Sequence, residues 1–275
     1  MTKEQRPDYE THTLIEAAAA ADVTGWGFSW LDGRATEERP PWGYAKLLAK
    51  RLRTARVALD LDTGGGEVLN EAPVLAVEQH ATEGWPPNFE VACATLGPRG
   101  VQIHATDRHQ PLPFADATFD LVTSRHPVTP RWSEIARVLA PGGEYFAQHV
   151  GPASADELTE FFYGRTSSRD RNSRAPDVET RAANAAGLVI DELQTARLRM
   201  EFFDVGAVVW ILRKCVWWVP DFDVVTHTGR LLAMDAHIRR ERSFVAYSSR
   251  HLVRARKPCN LQPRNEDASG SDVRR

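Results

Sequence analysis

The chain has 275 residues, 42% of them hydrophobic and 26% charged, with a formal net charge of -3. That length supports one elaborated domain around a sizeable core rather than two independent ones, and the near-neutral balance excludes a global field that favours nucleic acid or an acidic membrane surface. The three cysteines, Cys93, Cys215 and Cys259, are odd in number and lack metal-ligand spacing, which argues for a reducing compartment and against a disulfide framework or a zinc site.

The opening MTKEQRPDYE carries no apolar run of signal-peptide length, and the most apolar later run, Val205 to Val219, is broken by Arg213 and Lys214. A soluble, cytoplasmic protein with no membrane attachment is the expectation. Residues 10–55 read as helical, with Ala17 to Ala21 followed by the aromatic-rich GWGFSWLDGRATEERPPWGY of residues 25–44. From Val57 to Val150, short apolar runs alternate with helical or turn-rich segments, the pattern of a parallel sheet with crossover helices. Strands are placed near 57–61, 77–83, 101–106, 119–124 and 144–150. Helical segments between 154 and 187 flank the polar loop from Gly164 to Pro176. A strand at 188–197, helices at 202–214 and 224–240 and a last strand near 247–256 follow. The chain therefore divides into a helical cover at 1–55, an α/β domain at 56–257 and a polar tail at 258–275, which reads as disordered.

The chemistry begins at ALDLDTGGGEVL, Ala58 to Leu69, where an apolar strand runs through Asp60 into Gly64-Gly65-Gly66 and a helix-like start. Glycines reach backbone conformations that other residues resist, and a helix N-terminus offers free N–H groups to a ligand. Alone, a triple glycine is as well an ordinary tight turn. The second strand ends at Glu83, about twenty residues on, the distance at which an acid bonds ribose hydroxyls. The competing reading of Glu83 is a surface carboxylate. Asp107 ends the third strand, where it fits the amino group of an adenine or serves as a turn former, and Phe119-Asp120 opens the fourth.

Taken together, these residues resemble the Rossmann-like, class I S-adenosylmethionine-dependent methyltransferases, of the small-molecule, type 11-like group. Ala58-Leu59-Asp60, Gly64-x-Gly66, Glu83, Asp107, Leu112-Pro113-Phe114 and Phe119-Asp120 stand in the family's order, followed by the Arg-Val-Leu-x-Pro-Gly-Gly turn within EIARVLAPGGEYFAQHVGP, Glu134 to Pro152. GWGFSWLDGRATEERPPWGY, TEGWPPN, SRHP and FFDVGAVVWILRKCVWWVPDF are similar to a narrower bacterial subgroup, which supplies architecture and cofactor but no substrate. The resemblance implies a three-layer fold with a seven-stranded, mostly parallel sheet, an antiparallel last strand and a helical N-terminal cover. It implies S-adenosylmethionine as cofactor, held by Asp60, Asp62, Thr63, Gly64, Gly66, Glu83, Gly84, Trp85, Asp107 and Arg125. The chain departs from the pattern at Asp62, where the family has its first turn glycine, and at Gly27 after Trp26. Aspartate tolerates left-handed geometry, so the turn is expected to form, while its carboxylate either repels the methionine carboxylate or binds the methionine amine.

Methyl transfer is an in-line displacement governed by alignment. Where the acceptor carries a proton, His126 beyond the fourth strand is the candidate base, with Arg125 beside it to orient an anionic substrate. The bland alternative has both residues anchoring a loop. Trp26, Arg34, Tyr44 and, on the fifth strand, His149 are the candidates for the substrate pocket, with Phe28 and Trp30 assigned to packing. The expected activity is methyl transfer to a small organic molecule. The alternatives are an RNA methyltransferase, suggested by HIRRER and SSRHLVRARK, and a non-catalytic protein that keeps the fold. The acceptor and the oligomeric state are not legible.

Overall fold

The computed structural model describes residues 5–25, 27–164 and 174–259. Trp26, part of the polar loop after Gly164 and residues 260–275 of the tail lie outside the described residues.

The sheet nucleates on segments that are buried on both faces. In β2 (Val57–Leu61) the four residues from Ala58 onward are all buried, the requirement for a central strand covered by helices on both sides. It pairs in parallel with β3 (Glu78–Glu83) and β5 (Phe119–Arg125); β4 (Gln102–Ala105) extends the sheet beyond β3 and β6 (Leu139–Val150) beyond β5. The order is β1-β7-β8-β6-β5-β2-β3-β4. Chain direction across the sheet reverses between β2 and β5, which opens a crevice at their carboxyl ends. β8 (Phe244–Arg256) lies antiparallel between β6 and β7 (Val189–Phe202), as the antiparallel last strand requires.

The sheet has eight strands rather than seven. The extra one is β1 (Ala35–Glu37), which comes from the segment expected to be a helical cover and pairs antiparallel with Met200 to Phe202 of β7. Three residues carry no readable strand pattern; pairing with the edge of β7 makes them a strand. The cover is helical at its two ends, α1 (Gln5–Ala20) and α2 (Tyr44–Leu52), and between them lie a single 3-10 turn at Ser29–Leu31 and β1.

Five further helices follow in chain order: α3 (Glu67–Asn70), α4 (Pro86–Leu96), α5 (Trp132–Val138), α6 (Asp156–Tyr163) and α7 (Pro176–Ala185). In the region after β7, α8 (Val205–Lys214) starts later than expected because Asp204 caps it, accepting the Ala207 N–H at 2.8 Å; α9 (Thr228–Glu241) completes the set. Every residue of α8 except Arg213 is buried, as an all-round apolar helix demands. Its cationic end grips the cover. Arg213 donates to the carbonyls of Ala18 and Ala21 at the C-terminus of α1, and the Lys214 ammonium donates to those of Val23, Thr24 and Gly25. Trp30 stacks on Trp210 at 5.9 Å and Phe28 meets it edge-on at 6.0 Å, while Phe28 also lines the cleft described below. No helix of the described residues is long and apolar enough to cross a membrane.

Two of the motifs read in the sequence turn out to be partners. Glu134 of α5 accepts the Leu112 N–H at 2.6 Å, and Arg137, one turn on, donates to the carbonyls of Leu112 and Phe114. Arg137 also forks onto Glu134, with bonds of 2.8 Å from Nε and Nη2, and holds that carboxyl down to about 2. The Leu-Pro-Phe turn is thus fastened to the helix that precedes the Pro-Gly-Gly turn. At that turn Gly143 is obligatory, because a Cβ there meets the carbonyls of Ala140 and Phe119 at 2.9 and 3.0 Å.

Candidate active site

A cleft of about 2100 Å3 opens at the carboxyl ends of β2, β3 and β5. Single-ligand pockets usually run to roughly 300–1,000 Å3, so this one has room for more than one ligand. Asp60, Asp62, Thr63, Gly64, Glu83, Gly84, Trp85, Asp107, Arg125, His126 and Tyr44 all line it. Gly66 does not: at φ +84 its missing Cβ makes room for Leu96 of α4, 2.6 Å from where that atom would lie, so it serves helix packing beneath the turn.

The glycine turn is held from β3. The Thr63 N–H donates to the Thr82 carbonyl at 2.9 Å, and the Asp62 N–H donates to the Thr82 hydroxyl at 3.2 Å. Asp62 sits in left-handed geometry at φ 54, so aspartate does make the turn that glycine makes elsewhere. The surrounding wall raises its carboxyl while the Arg131 guanidinium opposes that shift. Glu83 binds three backbone donors, Gly64 at 2.8 Å, Gly84 at 3.0 Å and Trp85 at 2.8 Å. Desolvation lifts its pKa and those N–H groups pull against the lift. Asp60, 8% exposed, accepts the Thr123 hydroxyl at 2.6 Å. Burial raises its carboxyl to about 6, against the opposing influence of Thr123 and Thr63. The Thr63 hydroxyl oxygen beside it is buried and has no hydrogen bond of full geometry among the described residues. A buried acid, a buried hydroxyl beside it and a second acid one strand over form a polar pocket.

Residues 59–147, from β2 into β6, match the family model described as a methyltransferase domain. Over that segment the chain is similar to methyltransferase domains. Crystal structures share the fold: the YcgJ protein of Bacillus subtilis at 16% identity and a TM-score of 0.57, covering 78% of this chain and 98% of that one; a candidate methyltransferase of Bacillus halodurans at 19% and 0.54, covering 78% and 98%; and a functionally unknown protein of Deinococcus radiodurans at 19% and 0.52, covering 81% and 90%. No curated protein matches the chain.

In this protein the expected substrate-pocket residues part company. Tyr44 is in the cleft, its ring stacked on Phe146 at 5.2 Å and its hydroxyl donating to the Ser124 carbonyl at 3.1 Å. Arg34 is absent from the cleft wall: its guanidinium lies over Trp30 at 4.3 Å and pairs with Asp204 at 3.3 Å, joining the cover to the cap of α8. His149 is also outside the cleft. It is buried between Glu179 of α7, at 2.9 Å, and the Tyr145 hydroxyl, at 2.9 Å. The reason is the period of a strand, which sends neighbours to opposite faces. Gln148, one residue earlier, reaches His126 instead and was not signalled by any motif.

His126 stands at φ 60 just past β5. The Trp42 indole donates to Gln148 Oε1 at 2.8 Å, which fixes the amide so that its nitrogen faces His126 Nε2, also at 2.8 Å. An amide nitrogen only donates, so Nε2 must be the acceptor and Nδ1 carries the proton. Burial, then the guanidinium groups of Arg250 and Arg125, then His149 and Arg174, push the imidazole well below its usual pKa. Burial and the Gln148 contact thus favour neutral His126 with its one lone pair engaged, which leaves Nδ1–H as a donor. Two-bond 1H–15N NMR spectra are expected to show His126 as the neutral Nδ1–H tautomer throughout pH 6–8. An imidazolium signature at pH 6.5 would overturn this assignment.

Several arginines of the two basic runs are paired with acids. Arg239 pairs with Asp235 at 2.6 Å, Arg240 with Glu241 at 2.7 Å, Arg250 with Glu37 at 2.9 Å and Arg256 with Asp191 at 2.9 Å.

Proposed function

We propose that this protein transfers a methyl group from S-adenosylmethionine to a small organic acceptor. The carrying observation is the pair of buried acids at adjacent strand ends, Asp60 and Glu83, with the Thr63 hydroxyl beside Asp60. The residues present fit the cofactor. Asp60 and Thr63 offer an anionic and a hydroxyl partner for the methionine amine, and Glu83 offers oxygen lone pairs for the ribose hydroxyls while it braces Gly64. Gly84 leaves space beside the Thr106 carbonyl, which a Cβ would meet at 3.0 Å. Asp107, whose carboxylate caps the His109 N–H at 2.8 Å, and Trp85, 47% exposed at the cleft wall, are the adenine partners.

When bound, S-adenosylmethionine supplies an electrophilic sulfonium methyl. The protein's own contribution is alignment, which provides roughly 7–11 kcal/mol in well-oriented reactions. Tyr44, Trp42 and Gln148 hold the β5 end and present His126 as a donor that positions the acceptor. The ion pairs of Arg239, Arg240 and Arg256 speak against RNA as acceptor, since phosphate contacts need uncommitted cations.

Calorimetric titration with S-adenosylmethionine and S-adenosylhomocysteine tests the reading. Both are expected to bind, and Glu83→Gln, which loses the negative charge shared by three N–H groups and the ribose, is expected to weaken both at least about tenfold. Absence of binding at high micromolar ligand removes the methyl-transfer reading. Unchanged affinity in Glu83→Gln removes the ribose assignment alone.

A further inference from the structure

The walls of the cleft change character from one end to the other. Around the glycine turn they are acidic, with Asp60, Asp62, Glu67, Glu83 and Asp107. Beyond the end of β5 they carry Arg125 and Arg250 among apolar groups of the cover and the post-β7 region, Phe28, Leu31, Ile211, Trp217 and Trp218. A methionine amine and sulfonium suit the first end and are repelled by the second.

The wall there also carries Asp32, Glu37 and Asp156, yet its arginines are unequally engaged. Arg250 reaches in from β8 with a side chain only 12% exposed and meets Glu37 of β1 at 2.9 Å. Glu37 is also the acceptor for the Ser248 hydroxyl, so its carboxylate is shared. The Arg125 side chain is exposed to the cleft and has no hydrogen-bond or ion-pair partner among the described residues. Desolvation lowers the Arg250 pKa, and although Glu37 opposes this, Arg125 adds to it. A third guanidinium, Arg174, is engaged with the carbonyls of Val128 and Val150. Planar guanidinium groups bind carboxylates and phosphates through paired N–H donors, most strongly away from bulk water.

We infer that this end of the cleft is an anion subsite, in which Arg125 and Arg250 hold the carboxylate or phosphate of an acceptor whose hydrophobic body lies against Phe28, Leu31, Trp217 and Trp218. The assignment of this anion to the acceptor rests on the methyl-transfer reading above; the subsite itself rests on the two arginines and the wall. Glu37 then positions Arg250, and β1, the strand absent from the sequence pattern, joins the binding machinery.

The test is calorimetry on the full chain, without nucleotide, using decanoate, 3-phenylpropionate, indole-3-acetate and phenyl phosphate, each matched with its uncharged amide or, for the phosphate, phenol. At least one acid is expected to bind, with its neutral partner about tenfold weaker or worse, and the better of carboxylate and phosphate identifies the anion. Arg125→Gln and Arg250→Gln are each expected to lower acid affinity at least about tenfold, the loss of a charge-assisted hydrogen bond. Arg125→Gln removes no contact within the protein, so it decides the matter even where Arg250→Gln disturbs folding. No binding by any acid, equal binding of acid and neutral analogue, or wild-type affinity in Arg125→Gln overturns the subsite. Acid binding by a protein that does not take S-adenosylhomocysteine leaves the subsite standing and removes methyl transfer. Binding of S-adenosylhomocysteine with no acid binding does the reverse.

Discussion

Asp60→Asn is expected to make the ligand-free protein more stable at pH 7.5 and its nucleotide complex weaker. Burial raises the Asp60 carboxyl from 3.8 to about 6, so the folded chain binds this proton more tightly than the unfolded chain does. Stability therefore rises as pH falls from above 6 to below about 4, and ionisation at neutral pH costs about 3 kcal/mol at about 1.4 kcal/mol per pKa unit. Asparagine keeps an oxygen for the Thr123 hydroxyl and escapes that cost. A gain of roughly 1–3 kcal/mol in urea denaturation at pH 7.5, vanishing near pH 4, is the expected result. Loss of the charged partner should weaken S-adenosylhomocysteine binding by roughly 10- to 100-fold. Wild-type binding should also fall off below pH 6 and release a proton there, while the variant shows neither effect. A variant that is less stable at pH 7.5 and binds with unchanged affinity contradicts the role given to Asp60.

Glu179→Ala should have the opposite consequence, a loss of roughly 3–5 kcal/mol of stability. Glu179 belongs to α7 and is 6% exposed; its two oxygens take His149 Nδ1 at 2.9 Å and His251 Nδ1 at 3.2 Å, on β6 and β8. Burial alone would raise its carboxyl, but the hydrogen bonds and charge of the two histidines outweigh this and bring it down to about 2. A depressed acid stabilises the fold above its unfolded value of 4.5, and that contribution is lost as pH falls towards about 2. Chemical denaturation should therefore show a large gap between wild type and Glu179→Ala at pH 7 that narrows by pH 3. Glu179→Gln, which keeps one acceptor oxygen, should lie between them. Equal stability of wild type and Glu179→Ala at pH 7 would show that α7 is held by its apolar contacts alone.

What could be read in the sequence was what is local. The strands at 57–61 and 119–125 announce themselves by apolar runs, as central parallel strands do, whereas the buried strand 78–83 has the polar sequence EQHATE; the turn residues Asp60 to Gly66 overlap and follow the first of them. Gln148 and His149 show where this ends. Both are polar residues near the end of β6, and only the pleat, set by pairing with β5 and β8, decides that the first meets His126 and the second meets Glu179. The pairing of Arg250 with Glu37 spans 213 positions and has no local signature. Arg34 looked like a pocket residue because of its aromatic neighbours, but its partner is Asp204, supplied by a cap 170 positions away.

β7 runs for 14 residues on the open side of β8, and β1 covers its last three. A long strand edge of this kind is a template for intermolecular pairing and aggregation. β1 shields the part that holds buried Met200 and Phe202, whereas the uncovered stretch carries Asp191, Glu192 and Arg197, charges that discourage another chain from docking. The N-terminal segment thus has a colloidal role besides shaping the cleft. Removing it would leave the apolar end of the sheet without its guard, so solubility as well as ligand binding depends on three residues of unremarkable sequence.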